Sequence, residues 1–115
     1  MAKRPASDTI AAIATAPGTG GIGIVRISGP EAPATLRRVF VPRRPLDRFT
    51  SHPLYYGTVI APDGQPLDEA LAVHMHAPHT YTREDVVELH CHGSYLVLQE
   101  VLRHVLALGV RTAEQ

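Results

Sequence analysis

Two charged residues, Arg26 and Glu88, lie inside segments whose other residues have the pattern of buried β-strands, near positions 22–28 and 84–92. A buried charge costs free energy unless a partner or a ligand compensates it. One explanation is a mutual salt bridge. The other is a ligand, because a carboxylate accepts two parallel N–H groups from a heterocycle and an arginine grips a carboxylate or a ring carbonyl. Arg26 and Glu88 are therefore the candidate binding residues.

Four of the seven histidines form two His-x-His pairs, His74 with His76 and His90 with His92. In a strand, each pair shares one face and offers two ligands to a metal ion. However, the sequence contains no Cys-x-x-Cys, and no carboxylate follows at a recognised ligand spacing. We therefore expect polar members of half-buried strands and assign no metal ligands, with a metal site on these pairs as the alternative.

Cys91 is the single cysteine. A nucleophilic cysteine needs a base or a positive field. Strand alternation turns His90 and His92 away from it, which favours a buried structural thiol. One cysteine forms no intrachain disulfide, and this predicts a reducing, cytoplasmic compartment.

The glycines at 18, 20 and 23 spell G-x-G-x-x-G, the dinucleotide-binding pattern. That motif requires a helix after the glycines. Here the following residues are β-branched and too few, before Gly29 and Pro30, to form one. We therefore predict a loop between two strands, which places Arg26 in the second strand. A P-loop pattern, G-x-x-x-x-G-K-[ST], does not occur either, so the sequence itself has no recognisable nucleotide site.

The elements predicted around these residues are of mixed type. We expect one α+β domain over residues 8–115, with a mainly antiparallel sheet and two helices, after a disordered lead-in over residues 1–7. The predicted strands are 9–15, 22–28, 54–60, 71–76 and 84–92, with a tight turn at 62–65. The first helix is expected to be capped by Ser28 or Gly29, to begin at Pro30, and to extend through Phe40 until Pro42 closes it. The second is expected over 95–108, capped by Ser94 and stopped by Gly109. A last strand begins at Val110 and is cut short, as in a fragment of a longer protein.

Composition excludes some functions. The chain has 115 residues, eleven cationic and eleven anionic, so no net charge draws it to nucleic acid. It has no apolar run of the roughly 18–20 residues that span a membrane, and no secretory signal pattern. The arginines are concentrated in the first half, and an RNA-binding surface along Arg37–Arg48 is the alternative function. Solvated arginines around a loop are the simpler explanation.

Two long motifs identify a family. The first is DTIAAIATAPG at 8–18, continued by GGIGIVRISG at 20–29, and the second is YTREDVVELHCHG at 81–93. Over about residues 8–114 the chain closely resembles the N-terminal domain of bacterial tRNA modification GTPases of the MnmE (TrmE) family. That domain is related to the tetrahydrofolate-binding domain of glycine-cleavage aminomethyltransferases. It binds a 5-formyl-tetrahydrofolate-type ligand and forms a homodimer.

The resemblance implies more about the whole protein. With a flavin-dependent partner protein, this family adds an aminomethyl-type (carboxymethylaminomethyl) group at carbon 5 of the wobble uridine of tRNA. GTP, potassium and magnesium are used in a separate G domain, so this chain is not expected to be catalytic alone. The folate-contacting arginine and glutamate of the family fall on Arg26 and Glu88. A later Pro-Gly-Glu-Phe motif and a folate-contacting lysine have no counterpart here.

Overall fold

A mixed sheet with two helices forms the part of the chain that the computed structural model describes, residues 9–14, 23–44, 54–76, 84–92 and 94–112. The elements in chain order are β1 (Ile10–Ile13), β2 (Gly23–Ser28), α1 (Ala32–Val39), β3 (Phe40–Pro42), β4 (Leu54–Ile60), β5 (Pro66–Met75), β6 (Val86–Cys91), α2 (Tyr95–Ala107) and β7 (Arg111–Thr112). This confirms the expected α+β class with two helices. The predicted lead-in and most of the glycine loop lie outside the described residues.

The strands form one seven-stranded sheet in the order β3-β4-β5-β6-β2-β1-β7. Every neighbouring pair is antiparallel except β1 with β7, which is parallel. Because side chains alternate across a strand, each strand contributes one set of residues to the face covered by the helices and one to the opposite face. The elements around β2 and β6 therefore decide what Arg26 and Glu88 contact.

The core lies between the sheet and the two helices. From the sheet it contains Val25, Ile27, Val87 and Leu89, all 0% exposed. The helices contribute buried residues at helical spacing, Ala32, Leu36 and Val39 from α1 and Leu98, Val101 and Val105 from α2. Burial of these apolar side chains is the main stabilising contribution, at about 25 cal/mol per Å².

Helix α1 begins later than predicted. Its first residue is Ala32, so the proline of the first turn is Pro33 rather than Pro30, and the N-cap position is Glu31 rather than Ser28 or Gly29. The Thr9 side-chain oxygen accepts the Glu31 backbone N–H at 2.8 Å. This contact from another segment replaces the local capping side chain that the sequence pattern suggested.

The end of α1 also differs from the prediction. Phe40 was expected on the helix, but Phe40–Pro42 form β3, which pairs with β4 through Phe40 and Val59. Phe40 remains buried, so its apolar character is explained equally well by a strand. A short apolar run does not distinguish the two when tertiary pairing is available.

The predicted ends of other strands differ from the structure by a few residues. β1 and β6 are each shorter than predicted, whereas β4 has the predicted bounds. β2 is described from Gly23 to Ser28, and its predicted first residue, Ile22, lies outside the described residues. β5 begins at Pro66 rather than Leu71, because its polar first half pairs with β4. The predicted turn is confirmed at Gly64, which has φ +89°.

Helix α2 begins and ends as its end signals predict. The Ser94 hydroxyl accepts the Val97 backbone N–H at 3.4 Å. Gly109 follows the helix at φ +102°, and its N–H donates to the Leu106 carbonyl. This is the glycine stop described for many helices. Neither described helix has the length and apolar character needed to cross a membrane.

Replacing Gly57 by alanine is expected to destabilise the β3–β4 pair. A Cβ at this position would lie 2.3 Å from the Val41 carbonyl oxygen and 2.8 Å from Pro42 Cα, which are backbone atoms that cannot rotate away. We expect Gly57→Ala to lower the free energy of unfolding by about 1–3 kcal/mol, the usual cost of overpacking. Urea denaturation measures it. Thr58→Ala, on the same strand but the other face, is the matched control, and an equal loss in both variants would contradict the steric explanation.

Candidate functional site

Arg26 and Glu88 are direct cross-strand neighbours. They pair in the register of β2 and β6, on the face opposite the helices. Arg26 Nε donates to Glu88 Oε2 at 2.8 Å, and a guanidinium Nη lies 2.7 Å from the same oxygen. The structure thus brings together the two residues that the sequence singled out, and it shows the salt bridge that was one of the two explanations.

His90 completes a three-residue cluster. Its Nε2 lies 2.9 Å from Glu88 Oε1, so one carboxylate oxygen contacts Arg26 and the other contacts His90. The sequence pattern suggested His90 only as an alternative metal ligand together with His92 and did not predict its contact with Glu88. The signal that would have found it is the spacing, because residues two apart on a strand share a face. We call Arg26, Glu88 and His90 the charged cluster.

The pKa of Glu88 reflects two opposed effects. Burial raises it, but the hydrogen bonds from His90 and Arg26, with the positive charge of Arg26, outweigh burial and hold the pKa below its usual value. The Glu88 carboxylate is therefore ionised at neutral pH. Its side chain is 15% exposed and that of Arg26 is 49% exposed, so the cluster is open to solvent on the arginine side.

Apolar side chains surround the charged cluster on the same face. Ala12 pairs with Arg26 across β1, Val73 pairs with Glu88 across β5, and Leu71 pairs with His90. Val73 is buried, and Ala12 and Leu71 are partly buried. A carboxylate with apolar surface beside it suits a flat ligand whose edge carries N–H donors.

The two His-x-His pairs are placed in different surroundings. On β6, His90 contacts Glu88, while the His92 backbone N–H donates to Asp68 Oδ2 at 2.8 Å. On β5, His74 is buried and its ring stacks on that of His76, with 3.7 Å between centroids. Asp85 Oδ1 lies 3.9 Å from His74 Nε2. This carboxylate was not anticipated from sequence spacing.

Cys91 faces the core. It is 0% exposed, and its thiol lies 3.8 Å from the Leu89 carbonyl oxygen. Burial, followed by the negative charge of Asp68, raises the pKa of the Cys91 thiol to about 12. The thiolate needed for nucleophilic chemistry is therefore not populated at neutral pH, which confirms the structural role predicted for this residue.

The basic segment is only partly described. Arg37 and Arg38 are exposed on α1, and the Arg43 guanidinium carbon lies 5.3 Å from the centre of the Tyr56 ring. Arg48 lies outside the described residues. Two exposed arginines on one helix are common on protein surfaces and indicate no particular ligand.

The sequence is similar to a known protein family over nearly its whole length. The sequence profile described as "GTP-binding protein TrmE N-terminus" matches residues 9–115. The tRNA modification GTPases MnmE of Geobacter sulfurreducens and Chloroflexus aurantiacus are 58% and 57% identical to the chain. Each match covers 93% of the chain and 24% of the relative. The protein of the same name from Desulfotalea psychrophila is 53% identical, over 94% of the chain and 23% of that relative. The chain thus spans about a quarter of the length of the curated relatives that it matches.

The depressed pKa of Glu88 makes stability depend on pH. A carboxyl group whose pKa is lower when folded contributes stability above its unfolded value, about 4.5, and loses it as pH falls through the folded value. We expect the free energy of unfolding to decrease more steeply below pH 4.5 in the native protein than in Glu88→Gln. Urea titrations at pH 3 to 7 measure this. Parallel pH profiles would show that Glu88 is not held ionised by its neighbours.

The buried thiol predicts slow chemical modification. Iodoacetamide at pH 8 is expected to alkylate the folded protein far more slowly than the urea-unfolded chain, because the Cys91 thiol is both inaccessible and protonated. With one cysteine in the sequence, intact mass spectrometry reports the reaction directly. Equal rates with and without urea would place the thiol at the surface.

Proposed function

The chain belongs to the TrmE N-terminal family, and from this premise we propose that it is the reduced-folate-binding and dimerisation domain of a tRNA modification GTPase. The ligand proposed is 5-formyl-tetrahydrofolate or a close relative. The observation that carries the proposal is the charged cluster, in which an ionised, largely buried carboxylate is held in place beside the apolar side chains of Ala12, Leu71 and Val73.

Glu88 has the chemistry that a pterin requires. The pterin ring N–H and exocyclic amine are both donors, and a carboxylate accepts both. Its two oxygens offer about four acceptor directions, so acceptor capacity remains after Arg26 and His90 are bound. Because those two residues also fix its orientation, Glu88 is positioned before a ligand arrives, which reduces the entropic cost of binding.

Arg26 has the complementary role. It is half-exposed, and only its Nε and one Nη contact Glu88, so the remaining N–H donors of the guanidinium can bind a ligand carboxylate or ring carbonyl while Arg26 stays bonded to Glu88. Leu71 and Val73 lie beside Glu88 and His90 in the register of the sheet, and they provide apolar surface for a flat ring. Glu88 on β6 thus binds the edge of the ring, and Leu71 and Val73 on the neighbouring β5 pack against its face.

The relatives are tRNA modification GTPases by name, and the further details of the whole protein's reaction are proposed from the family resemblance of the two sequence motifs. In this proposed reaction, the whole protein acts in the cytoplasm together with a flavin-dependent partner protein. It uses the one-carbon unit of the folate to modify carbon 5 of the wobble uridine of tRNA. GTP, potassium and magnesium belong to a G domain whose P-loop pattern this sequence does not contain. The chain's own part is to bind and orient the folate and to pair with a second copy.

A second copy has apolar surface available to it. Val41 is 50% exposed on the edge strand β3, and Leu54 is 58% exposed on the neighbouring β4. Exposed apolar residues on a strand that has no outer neighbour among the described strands favour association with another chain. Sedimentation of the purified chain checks whether it forms a homodimer.

Removal of the Glu88 carboxylate is expected to weaken folate binding. By calorimetry with 5-formyl-tetrahydrofolate, we expect Glu88→Gln to lose at least about tenfold in affinity, because a carboxylate bonded to N–H donors contributes roughly 1.5–3 kcal/mol. Glu100→Gln is the control, since Glu100 lies on α2 and pairs with Arg103. Arg26→Gln is expected to weaken binding less.

Two results would contradict the proposal. Equal affinities for the native protein and Glu88→Gln would remove Glu88 from the site. Binding of tRNA that falls steeply with salt, unchanged by Glu88→Gln and without any folate heat, would instead favour the RNA-binding alternative on the basic segment.

A further inference from the structure

Two histidines and a carboxylate converge beside the end of β5. His74 is the next-to-last residue of β5, His76 follows the strand, and Asp85 immediately precedes β6. The register pairs His74 with Val87 and Met75 with Val86, so its continuation places His76 opposite Asp85. By alternation, all three side chains project from the helix-covered face, opposite the charged cluster. The Gly29 N–H donates to the Asp85 carbonyl at 2.9 Å and fixes the backbone there.

The distances between these side chains are slightly longer than those between the ligands of one metal ion. One ligand atom from each of the three residues lies within 4.8 Å of the other two. The separation between His74 Nε2 and Asp85 Oδ1 is 3.9 Å. First-row metal ions bind imidazole nitrogen and carboxylate oxygen at about 2.0–2.2 Å, so small side-chain rotations bring all three donors onto one ion.

His74 supplies an independent observation. Its side chain is 5% exposed, and its Nε2 is buried with no hydrogen-bond partner among the described residues. Buried polar atoms are nearly always satisfied, and one that is not calls for an explanation. A metal ion would satisfy this nitrogen.

We propose that His74, His76 and Asp85 bind a divalent transition-metal ion, of which zinc is the representative. Two imidazoles select zinc, iron, copper or nickel over magnesium and calcium, which prefer oxygen ligands. The Asp85 carboxylate offsets part of the positive charge of a bound ion. Arg37 on α1 faces the site, and its positive charge disfavours a cation there. Because the site lies on the other side of the sheet from Glu88, it is independent of the proposed folate site.

Zinc titration of the full chain tests this site. With zinc chloride and a competing chromophoric chelator, we expect one ion per chain for the native protein. We expect Asp85→Asn, which preserves side-chain shape, and His76→Gln, which keeps a polar side chain, to weaken zinc binding. Loss of a residue that only hydrogen-bonds to a metal ligand costs roughly 10- to 100-fold in affinity, and loss of a ligand itself should cost more. His92→Gln, from the other His-x-His pair, is the control and should bind as the native protein does.

Thermal unfolding followed by circular dichroism provides a second readout. Zinc should raise the Tm of the native protein and of His92→Gln, but not that of Asp85→Asn or His76→Gln, because an ion that binds only the folded state stabilises it. If one of these two variants does not fold, the other decides. Stoichiometric binding that survives in the folded variant, loss of binding in His92→Gln, or no binding to the native protein would each overturn the proposal.

Discussion

The antiparallel pairing of β2 with β6 is the constraint on which the proposed binding site depends. Its register sets Val25 and Ile27 beside Leu89 and Val87 under the helices, and the same register sets Arg26 beside Glu88 on the other face. Because side chains alternate with a period of two, the register that buries the core residues also determines which residues form the charged cluster. Burial of the apolar set fixes where the charges meet. The salt bridge itself adds little net stability, because the desolvation of the largely buried Glu88 carboxylate offsets much of its attraction to the half-exposed Arg26.

Glu88 is held ionised in a position where it can accept hydrogen bonds from a ligand. A lone carboxylate at the centre of an apolar sheet face would take up a proton or destabilise the fold. Arg26 and His90 prevent this by binding one oxygen each, and the carboxylate remains charged. A group held ionised and oriented by its neighbours is suited to recognise a neutral heterocycle through N–H donors, since little reorganisation accompanies binding. The same contacts explain why a structural salt bridge and a binding site are compatible interpretations of these residues.

The sequence predicted the parts of the fold that local rules determine. Helix α2 was predictable because Ser94 and Gly109 mark its ends, and the turn at Gly64 because its conformation favours glycine. Helix α1 was placed wrongly at both ends, since its first turn is capped by Thr9 from another segment and Phe40 pairs with β4. Arg26 and Glu88 were recognisable as charges in apolar strands, but their mutual contact depends on a register that no local pattern specifies.

The same dependence on register separates two groups of polar residues on adjacent strands. His74 of β5 faces the helices with Val87, whereas Glu88 and His90 of β6 share the opposite face with Val73 and Leu71. Slipping β5 by one residue would turn Leu71 and Val73 under the helices, where Ala70 and Ala72 are now fully buried. Larger side chains in that close-packed space would be strongly unfavourable. Two small alanines therefore keep the histidine pair and the charged cluster on opposite faces of the sheet, so that the two proposed sites do not overlap.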